Sequence, residues 1–319
     1  MTTHAEPRPA DACSVEWDDA ELPAWGTAPY AKFWVCLEQN GPWGHSAITE
    51  SHLPTELGAQ LERACGDHGG RLLLIRRPGP HSDETSHHPP HHVLIAGCLD
   101  TDPWLLTGEI DDPAQLLTLP WPALLDADPD TVTEHLPELE ETREPALLIC
   151  TNGKRDTCCA VRGRPVALEL AAEQPGAVWE CSHTSGHRLS PTGVALPSGR
   201  LYARLTPELA ALALDGEKRR EVPLPLGMPE HDRGRSCFDG PVQVAESVVR
   251  HHISEPSDTA LVATGSPAAA DRDRWECEVR HTDGRQWSVV VTSKDGPVLK
   301  NSCAKAAIPT QVWDAEIAE

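Results

Sequence analysis

The sequence predicts an α/β protein in which a thioredoxin-like domain follows a smaller α/β domain and precedes a C-terminal extension. Residues 25–138 combine several short apolar strand patterns with one helical pattern. Residues 139–235 run strand, helix, strand, hairpin, helix, an order typical of a thioredoxin-like fold. Residues 236–319 predict a helix and a hairpin that pack on the preceding domains. The length of 319 residues, about twice that of a typical domain, agrees with two compact units.

Residues 1–24 are polar and acidic, and we interpret them as a flexible tail in which Cys13 is an incidental thiol. In the first domain, periodicity and turn signals predict one helix and four strands. The helix is LPTELGAQLERACGDHGG, and the strands are AKFWVCLEQ, RLLLIRRP, HVLIAGCLD and PWLLTGEID. The proline-punctuated residues 111–145 predict a connection with a short helix at most.

In the second domain, the apolar run PALLICT predicts a strand that leads directly into Cys150. A helix follows Gly163-Arg164-Pro165, and AVWECSH predicts the next strand. A hairpin is expected around Pro197-Ser198-Gly199, followed by a helix that starts at Thr206-Pro207 and ends at Gly216. The C-terminal helix is PVQVAESVVRHHI, and the hairpin turns at Thr282-Asp283-Gly284.

Composition excludes several classes of function. The net charge of −22 argues against nucleic-acid binding, which requires a basic face. No apolar run approaches the roughly 20 residues that a membrane helix needs, and the N-terminus lacks the pattern of a signal peptide. The eleven cysteines are odd in number and irregularly spaced, which favours free thiols over a disulfide scaffold. We therefore expect a cytoplasmic protein that binds neither membranes nor nucleic acid.

The segment from Cys150 to His187 carries the strongest chemical signal. It contains four of the eleven cysteines and an His-x3-His pair, and basic side chains surround it. The candidate metal ligands are Cys150, Cys159, His183 and His187. Structural zinc knuckles space their cysteines two to four residues apart, whereas eight residues separate Cys150 from Cys159. That loop suits a two-metal cofactor better than a single ion, without excluding the ion, and two thiolates with two imidazoles occur as ligands of mixed 2Fe-2S sites.

The segments CTNGKRDTCCAVRGRPVALEL, VWECSH-x-x-GHR and LPSGRLYARL resemble the sucrase/ferredoxin-like family. The resemblance implies a thioredoxin-like 2Fe-2S ferredoxin domain whose cluster is held by Cys150, Cys159, His183 and His187. Cys181, two residues before His183, is an alternative fourth ligand. In that case His187 would contact a ligand and would not bind the metal itself. Cys158 is interpreted as a buried thiol and not as a ligand, because it is adjacent to Cys159 and the side chains of consecutive residues point in different directions.

The predicted function is one-electron transfer at a relatively high potential, coupled to protons through the histidines. A separate redox partner protein is expected, because no flavin or nicotinamide fingerprint is present. We expect a carrier rather than a catalyst. Sucrose hydrolysis is not expected, since no carboxylate pair is recognisable. The alternatives are a zinc-stabilised binding module and a thiol oxidoreductase on the same fold.

A second group of imidazoles lies between two predicted strands, in HSDETSHHPPHH. It comprises His81, His87, His88, His91 and His92. A sensory metal site is one hypothesis. We favour a flexible loop, because the prolines and polar neighbours leave nothing that fixes a ligand geometry.

Overall fold

The computed structural model describes residues 12–79, 89–269 and 271–318. It confirms the α/β class, with a large mixed sheet, a separate antiparallel sheet and helices packed on both. The strands of these residues are β1 Trp34–Glu38, β2 Arg71–Arg76, β3 His91–Gly97, β4 Trp104–Ile110, β5 Leu139–Glu141, β6 Ala146–Cys150, β7 Val178–Cys181, β8 Gly193–Leu196, β9 Arg200–Tyr202, β10 Asp232–Arg235, β11 Leu261–Ala268, β12 Asp271–His281, β13 Gln286–Leu299 and β14 Ile308–Ile317. The α-helices are α1 Cys13–Asp19, α2 Ala47–Glu50, α3 Thr55–Asp67, α4 Asp130–His135, α5 Arg164–Glu173, α6 Pro207–Arg219 and α7 Gly240–Ile253.

The large sheet runs through both predicted α/β domains in the order β10-β9-β8-β6-β7-β2-β1-β3-β4-β5. Its two halves meet where β2 pairs antiparallel with β7, through Ile75 opposite Cys181 and Arg76 opposite Glu180. The sheet is therefore continuous across the two halves. The predicted domain limit between residues 138 and 139 falls at the start of β5, which pairs with β4 of the first half. The domain limits themselves stay a prediction.

The centre of the second half is covered on both faces, which explains its sequence. Every residue of β6 and of β7 is buried, as expected for strands without a solvent face. On one face, Leu147 and Ile149 pack against Leu170 of α5 and Leu214 of α6. On the other face, β6 contributes Leu148 and Cys150 to a core shared with β1, β2 and β7.

Helix α6 begins where predicted but ends later. The Thr206 hydroxyl accepts a hydrogen bond from the Leu209 N–H at 3.2 Å, which caps the first turn. The predicted stop at Gly216 is wrong, because the helix continues to Arg219 and ends where Arg220 takes a φ of 58°. Gly216 has a packing role instead: a Cβ atom there would lie 2.6 Å from the Glu221 carbonyl oxygen.

The C-terminal region contains the predicted helix as α7 and the predicted hairpin as β12–β13. Strands β11 and β14 extend the hairpin into a four-stranded antiparallel sheet. Helix α7 packs on this sheet, with Val249 beside Leu261, Val279 and Val289. The stretch before α7, which has no clear sequence pattern, contains β10 at the edge of the large sheet.

The prediction of a flexible tail is wrong for its described part. Residues 13–19 form α1, and Cys13, Ser14 and Trp17 of this helix are buried. The Trp17 indole N–H donates to the Lys300 carbonyl oxygen at 3.0 Å. Asp18 forms ion pairs of 2.8 Å with Arg162 and with Arg204. These contacts attach the helix to the second half of the large sheet and to the C-terminal region.

Of the predicted histidine-rich loop, His81, His87 and His88 lie outside the described residues. His91 and His92 belong to β3. The His92 ring stacks on Trp179 with centroids 4.8 Å apart, and its Nε2 lies 3.0 Å from the Thr107 hydroxyl. Within the described ranges, no helix is both long and apolar enough to cross a bilayer.

Candidate metal centre

Cys150 is the last residue of β6, and its parallel neighbour β7 ends at Cys181 directly opposite. The carboxyl ends of parallel strands meet at one edge of a sheet, so the loops after β6 and β7 lie together there. The first loop leads to Cys159, and the second carries both histidines. The topology therefore gathers the predicted ligands at one edge, with Cys150 only 1% exposed.

Hydrogen bonds within the loop after β6 fold it into a compact turn. The Asn152 side-chain oxygen accepts from the N–H of Lys154 at 3.2 Å, and Asp156 Oδ1 accepts from the N–H of Cys158 at 3.0 Å. A π-helical turn, Cys159–Gly163, then leads into α5. Gly163 lies so close to β6 that a Cβ atom would be 2.4 Å from the Cys150 carbonyl oxygen. This contact holds the turn, and Cys159 at its start, against the end of β6.

The histidine pair lies in a tight loop after β7. Ser185 and Gly186 both have left-handed backbone conformations, with φ of 63° and 70°. The ring centroids of His183 and His187 are 5.4 Å apart, with an interplanar angle of 33°. Gly186 is required here, because a Cβ atom would lie 2.6 Å from the Arg233 guanidinium.

The two predicted cysteine ligands interact with each other and with one histidine. Interaction with the Cys159 thiol lowers the pKa of Cys150 well below its usual range despite its burial. His183 lowers this pKa further. The same interaction with Cys150, together with burial, raises the pKa of Cys159. Cys150, Cys159 and His183 thus lie close enough to share a proton network, with the thiolate favoured at Cys150.

The comparison with protein families gives one result, which covers most of the large sheet. The model of the sucrase/ferredoxin-like family matches residues 24–220. The chain belongs to this family. No curated protein and no solved structure matches it significantly. The matched residues include both loops of the candidate site, from Cys150 to His187.

Buried imidazole nitrogens without an ordinary hydrogen bond distinguish this candidate site from ordinary core. Nδ1 of His183 and both ring nitrogens of His187 are buried, and none has a hydrogen bond of ordinary length and angle to the described residues. The nearby Asp156 carboxylate and Asn301 backbone nevertheless act on His187, with Asp156 Oδ2 3.6 Å from its Nε2. Buried polar side-chain atoms are nearly always hydrogen-bonded. Two such rings beside two thiols offer the sulfur and nitrogen donors that a metal or a mixed 2Fe-2S cluster requires. The residues present therefore fit such a group.

A buried cation, Arg233, lies behind the histidine loop. Its guanidinium donates to the Ser185 carbonyl oxygen at 3.3 Å and to the Thr27 hydroxyl at 3.1 Å. Burial lowers the pKa of Arg233 to about 9, and the neighbouring Cys150 acts in the opposite direction. The sequence prediction gave Arg233 no role, because it considered only the basic residues near Cys150–His187. It belongs to a short RGR run in a segment without a clear pattern.

Two further cysteines from the sequence prediction occupy different environments. Cys181 lies opposite Cys150 in the core, where burial raises the pKa of its thiol and Cys150 raises it further. It stays an alternative fourth ligand. Cys158 is buried as predicted, but its side chain joins a separate group of thiols that sequence reasoning missed. That group contains Cys13, Cys158 and Cys303 beside the carboxylate of Asp156.

Proposed function

We propose that this sucrase/ferredoxin-like chain is a one-electron carrier whose 2Fe-2S cluster is held by Cys150, Cys159, His183 and His187. The observation that carries the proposal is that Nδ1 of His183 and both ring nitrogens of His187 are buried beside two interacting thiols without a hydrogen bond of ordinary geometry to the described residues, with His187 Nε2 facing Asp156 Oδ2 at 3.6 Å. The cluster, when bound, supplies reversible transfer of one electron. The family match supports metal binding in the coarser sense, as does a group of three cysteines and Asp156 next to the site.

The charges of the chain's own residues favour a relatively high potential. Two thiolates and two neutral imidazoles carry two fewer negative charges than four thiolates, so adding an electron costs less. The cation of Arg233 acts in the same direction, because it is buried beside Cys150 and Cys159 and is weakly screened.

The exposure of the four proposed ligands supports one route by which electrons reach the site. Cys150 and Cys159 are each 1% exposed, whereas His183 and His187 are half-buried. The histidine side of the site is therefore the side nearest to solvent. We propose that a separate redox protein docks at this side, that electrons pass through the imidazoles, and that the protein works in the cytoplasm.

Metal analysis of anaerobically purified protein tests the proposal. Two irons and two sulfides per chain, with visible absorption and a paramagnetic signal after one-electron reduction, are expected. The Cys150→Ala variant should lose all of these. A colourless protein whose zinc disappears in Cys150→Ala would instead identify the zinc-stabilised module, and the electron-transfer proposal would be abandoned.

A thiol oxidoreductase is the second candidate, and the lowered pKa of Cys150 beside Cys159 favours it. Burial of both thiols argues against it, because a reactive cysteine must be accessible to its substrate. Reduction of a small disulfide by the iron-free protein, lost in Cys150→Ala, would establish this activity.

A further inference from the structure

Three cysteines from distant parts of the chain meet at one point outside the site described above. Cys13 comes from α1, Cys158 from the loop after β6, and Cys303 from the loop between β13 and β14. The Sγ atoms of Cys13 and Cys158 are 3.6 Å apart, those of Cys158 and Cys303 are 3.2 Å apart, and those of Cys303 and Cys13 are 3.6 Å apart. We call this group, with Asp156, the thiol triangle.

The sulfur spacing resembles that of a tetrahedral metal site. With zinc–sulfur bonds of about 2.3 Å, tetrahedral geometry places two sulfur ligands about 3.8 Å apart. The three observed distances of 3.2 to 3.6 Å are slightly shorter than this edge. A small outward movement of the thiols would therefore accommodate an ion without a rearrangement of the backbone.

Asp156 supplies a fourth donor. The ligand atoms of Asp156 and of the three cysteines all lie within 4.8 Å of one another. Asp156 Oδ2 accepts from the Ser302 hydroxyl at 2.9 Å and from the Cys303 N–H at 3.0 Å, whereas Oδ1 accepts from the Cys158 N–H and lies 4.0 Å from the Cys13 sulfur. A carboxylate oxygen has two lone-pair directions, and the one of Oδ1 that faces the Cys13 thiol can bind a cation once Cys13 loses its proton.

A disulfide explains these residues less well. It requires sulfurs about 2.05 Å apart and can use two of the three. The third thiol and the Asp156 carboxylate would then lie side by side without a cation that binds both. Three thiolates and a carboxylate around one ion use all four groups.

The geometry points to a second metal site, in which Cys13, Cys158, Cys303 and Asp156 bind one zinc-class ion. The site joins the first helix and the last loop of the described chain to the loop that carries Cys159. Glu16 and Trp17 of α1 hydrogen-bond the backbone of Lys300 at 2.9 and 3.0 Å. These bonds hold α1 against the loop that carries Cys303 independently of the thiols. Metal binding releases the thiol protons, and the ion stabilises the folded state because unfolding disperses its ligands.

Zinc and iron contents of the full chain test this site. Protein purified from zinc-supplemented cells under reducing conditions should hold one zinc that Cys303→Ser lacks and Cys237→Ser keeps. Cys237 is a matched control, since it is also half-buried, and its thiol hydrogen-bonds the Leu99 carbonyl oxygen at 3.6 Å and packs against apolar core residues away from the thiol triangle. Co²⁺ added to chelator-treated wild-type protein should produce sulfur-to-cobalt charge-transfer absorption. Mass-spectrometric alkylation should show Cys303 protected until the chelator is added.

These readouts separate the second site from the proposed ferredoxin site. If Cys150→Ala loses iron but retains zinc, the two metals occupy two distinct sites. If instead Cys150→Ala loses zinc and Cys303→Ser retains it, the second site is overturned. Absence of zinc, of the cobalt absorption and of Cys303 protection in the wild type would also overturn it. A cross-linked peptide joining any two of the three cysteines in reduced, metal-supplemented protein would replace it with a disulfide. The wild-type measurements decide the question even if Cys303→Ser does not fold.

Discussion

The Nε2 atom of His187 lies 3.6 Å from the Oδ2 atom of Asp156. His187 is a proposed ligand of the cluster, and Asp156 belongs to the thiol triangle, so the two sites are in contact through this pair. Burial lowers the pKa of His187, and the Asp156 carboxylate acts in the opposite direction. A change of charge at the thiol triangle therefore reaches the half-buried edge of the proposed ferredoxin site.

Replacing Cys150 by alanine should abolish iron binding and the visible spectrum. Cys150 ends a fully buried strand and supplies the thiolate that the network with Cys159 and His183 favours. Cys65→Ala is the matched control, because Cys65 is also fully buried but belongs to the core of the first half of the sheet. Iron analysis of both variants, with circular dichroism to check folding, measures the difference. Equal iron contents in the two variants would remove Cys150 from the site.

The midpoint potential should fall as pH rises through the pKa of a histidine ligand in the oxidised protein. An imidazole bound through one nitrogen keeps a proton on the other, and the oxidised metal makes that proton more acidic. The slope should approach ~59 mV per pH unit where one proton accompanies each electron. Potentiometric titration between pH 6 and 10 measures it, and a flat profile would contradict ligation by solvent-accessible histidines.

Replacing His187 by cysteine should preserve the cluster and lower its potential. The added thiolate contributes a negative charge that the neutral imidazole lacks, and this charge disfavours the reduced state. His281→Gln is the matched control, because the side chains of His187 and His281 are 15% and 10% exposed and His281 lies in the C-terminal sheet. The control should keep the wild-type potential and its pH dependence. If His187→Cys leaves the potential unchanged, Cys181 becomes the better fourth ligand.

Replacing Arg233 by glutamine should lower the midpoint potential, whereas Arg233→Lys should change it much less. Arg233 is fully buried and interacts with Cys150 and Cys159, so removing its charge disfavours the more negative, reduced state. At an effective dielectric constant near 20, removing one neighbouring buried charge should shift the potential by an amount on the order of 100 mV. Similar potentials in the two variants would show that Arg233 supports the histidine loop without tuning the site.

The sequence predicted the ligand loops better than their surroundings. The apolar run into Cys150 predicts a buried strand, and the next apolar run predicts the strand that ends at Cys181. These two strands are parallel neighbours, so the loops that follow them lie at the same edge of the sheet. The approach of Arg233 depends on how β10 joins the sheet edge after a segment without a periodic pattern. No local spacing rule predicts that contact.

The thiol triangle could not be predicted for a related reason. Cys13 and Cys303 are 290 positions apart, so no metal-binding spacing links them. The helix of Cys13 has the sequence CSVEWDD, whose acidic residues resemble a solvated tail. Its folding depends on tertiary contacts, such as the ion pairs of Asp18 with Arg162 and Arg204, rather than on helix propensity.

The carboxyl group of Glu217 should make the protein less stable as pH rises from about 5 to about 8. Burial, with Asp258 acting in the same direction, raises the pKa of Glu217 to about 7, although Ser198 donates hydrogen bonds to it. A raised pKa means that the folded state binds the proton more tightly than the unfolded state. This stabilisation is fully present below the unfolded pKa and is lost as pH rises through about 7.

The change should be at most about 3 kcal/mol, because one pKa unit corresponds to about 1.4 kcal/mol. Glu217→Gln removes the titrating group, so the melting temperature of this variant should depend less on pH than that of the wild type. Glu208→Gln is the control, since Glu208 lies on the same helix but is exposed. Thermal melts of the three proteins at pH 5 and pH 8 measure the effect. An equal loss of melting temperature in wild type and Glu217→Gln would assign the pH dependence to other groups.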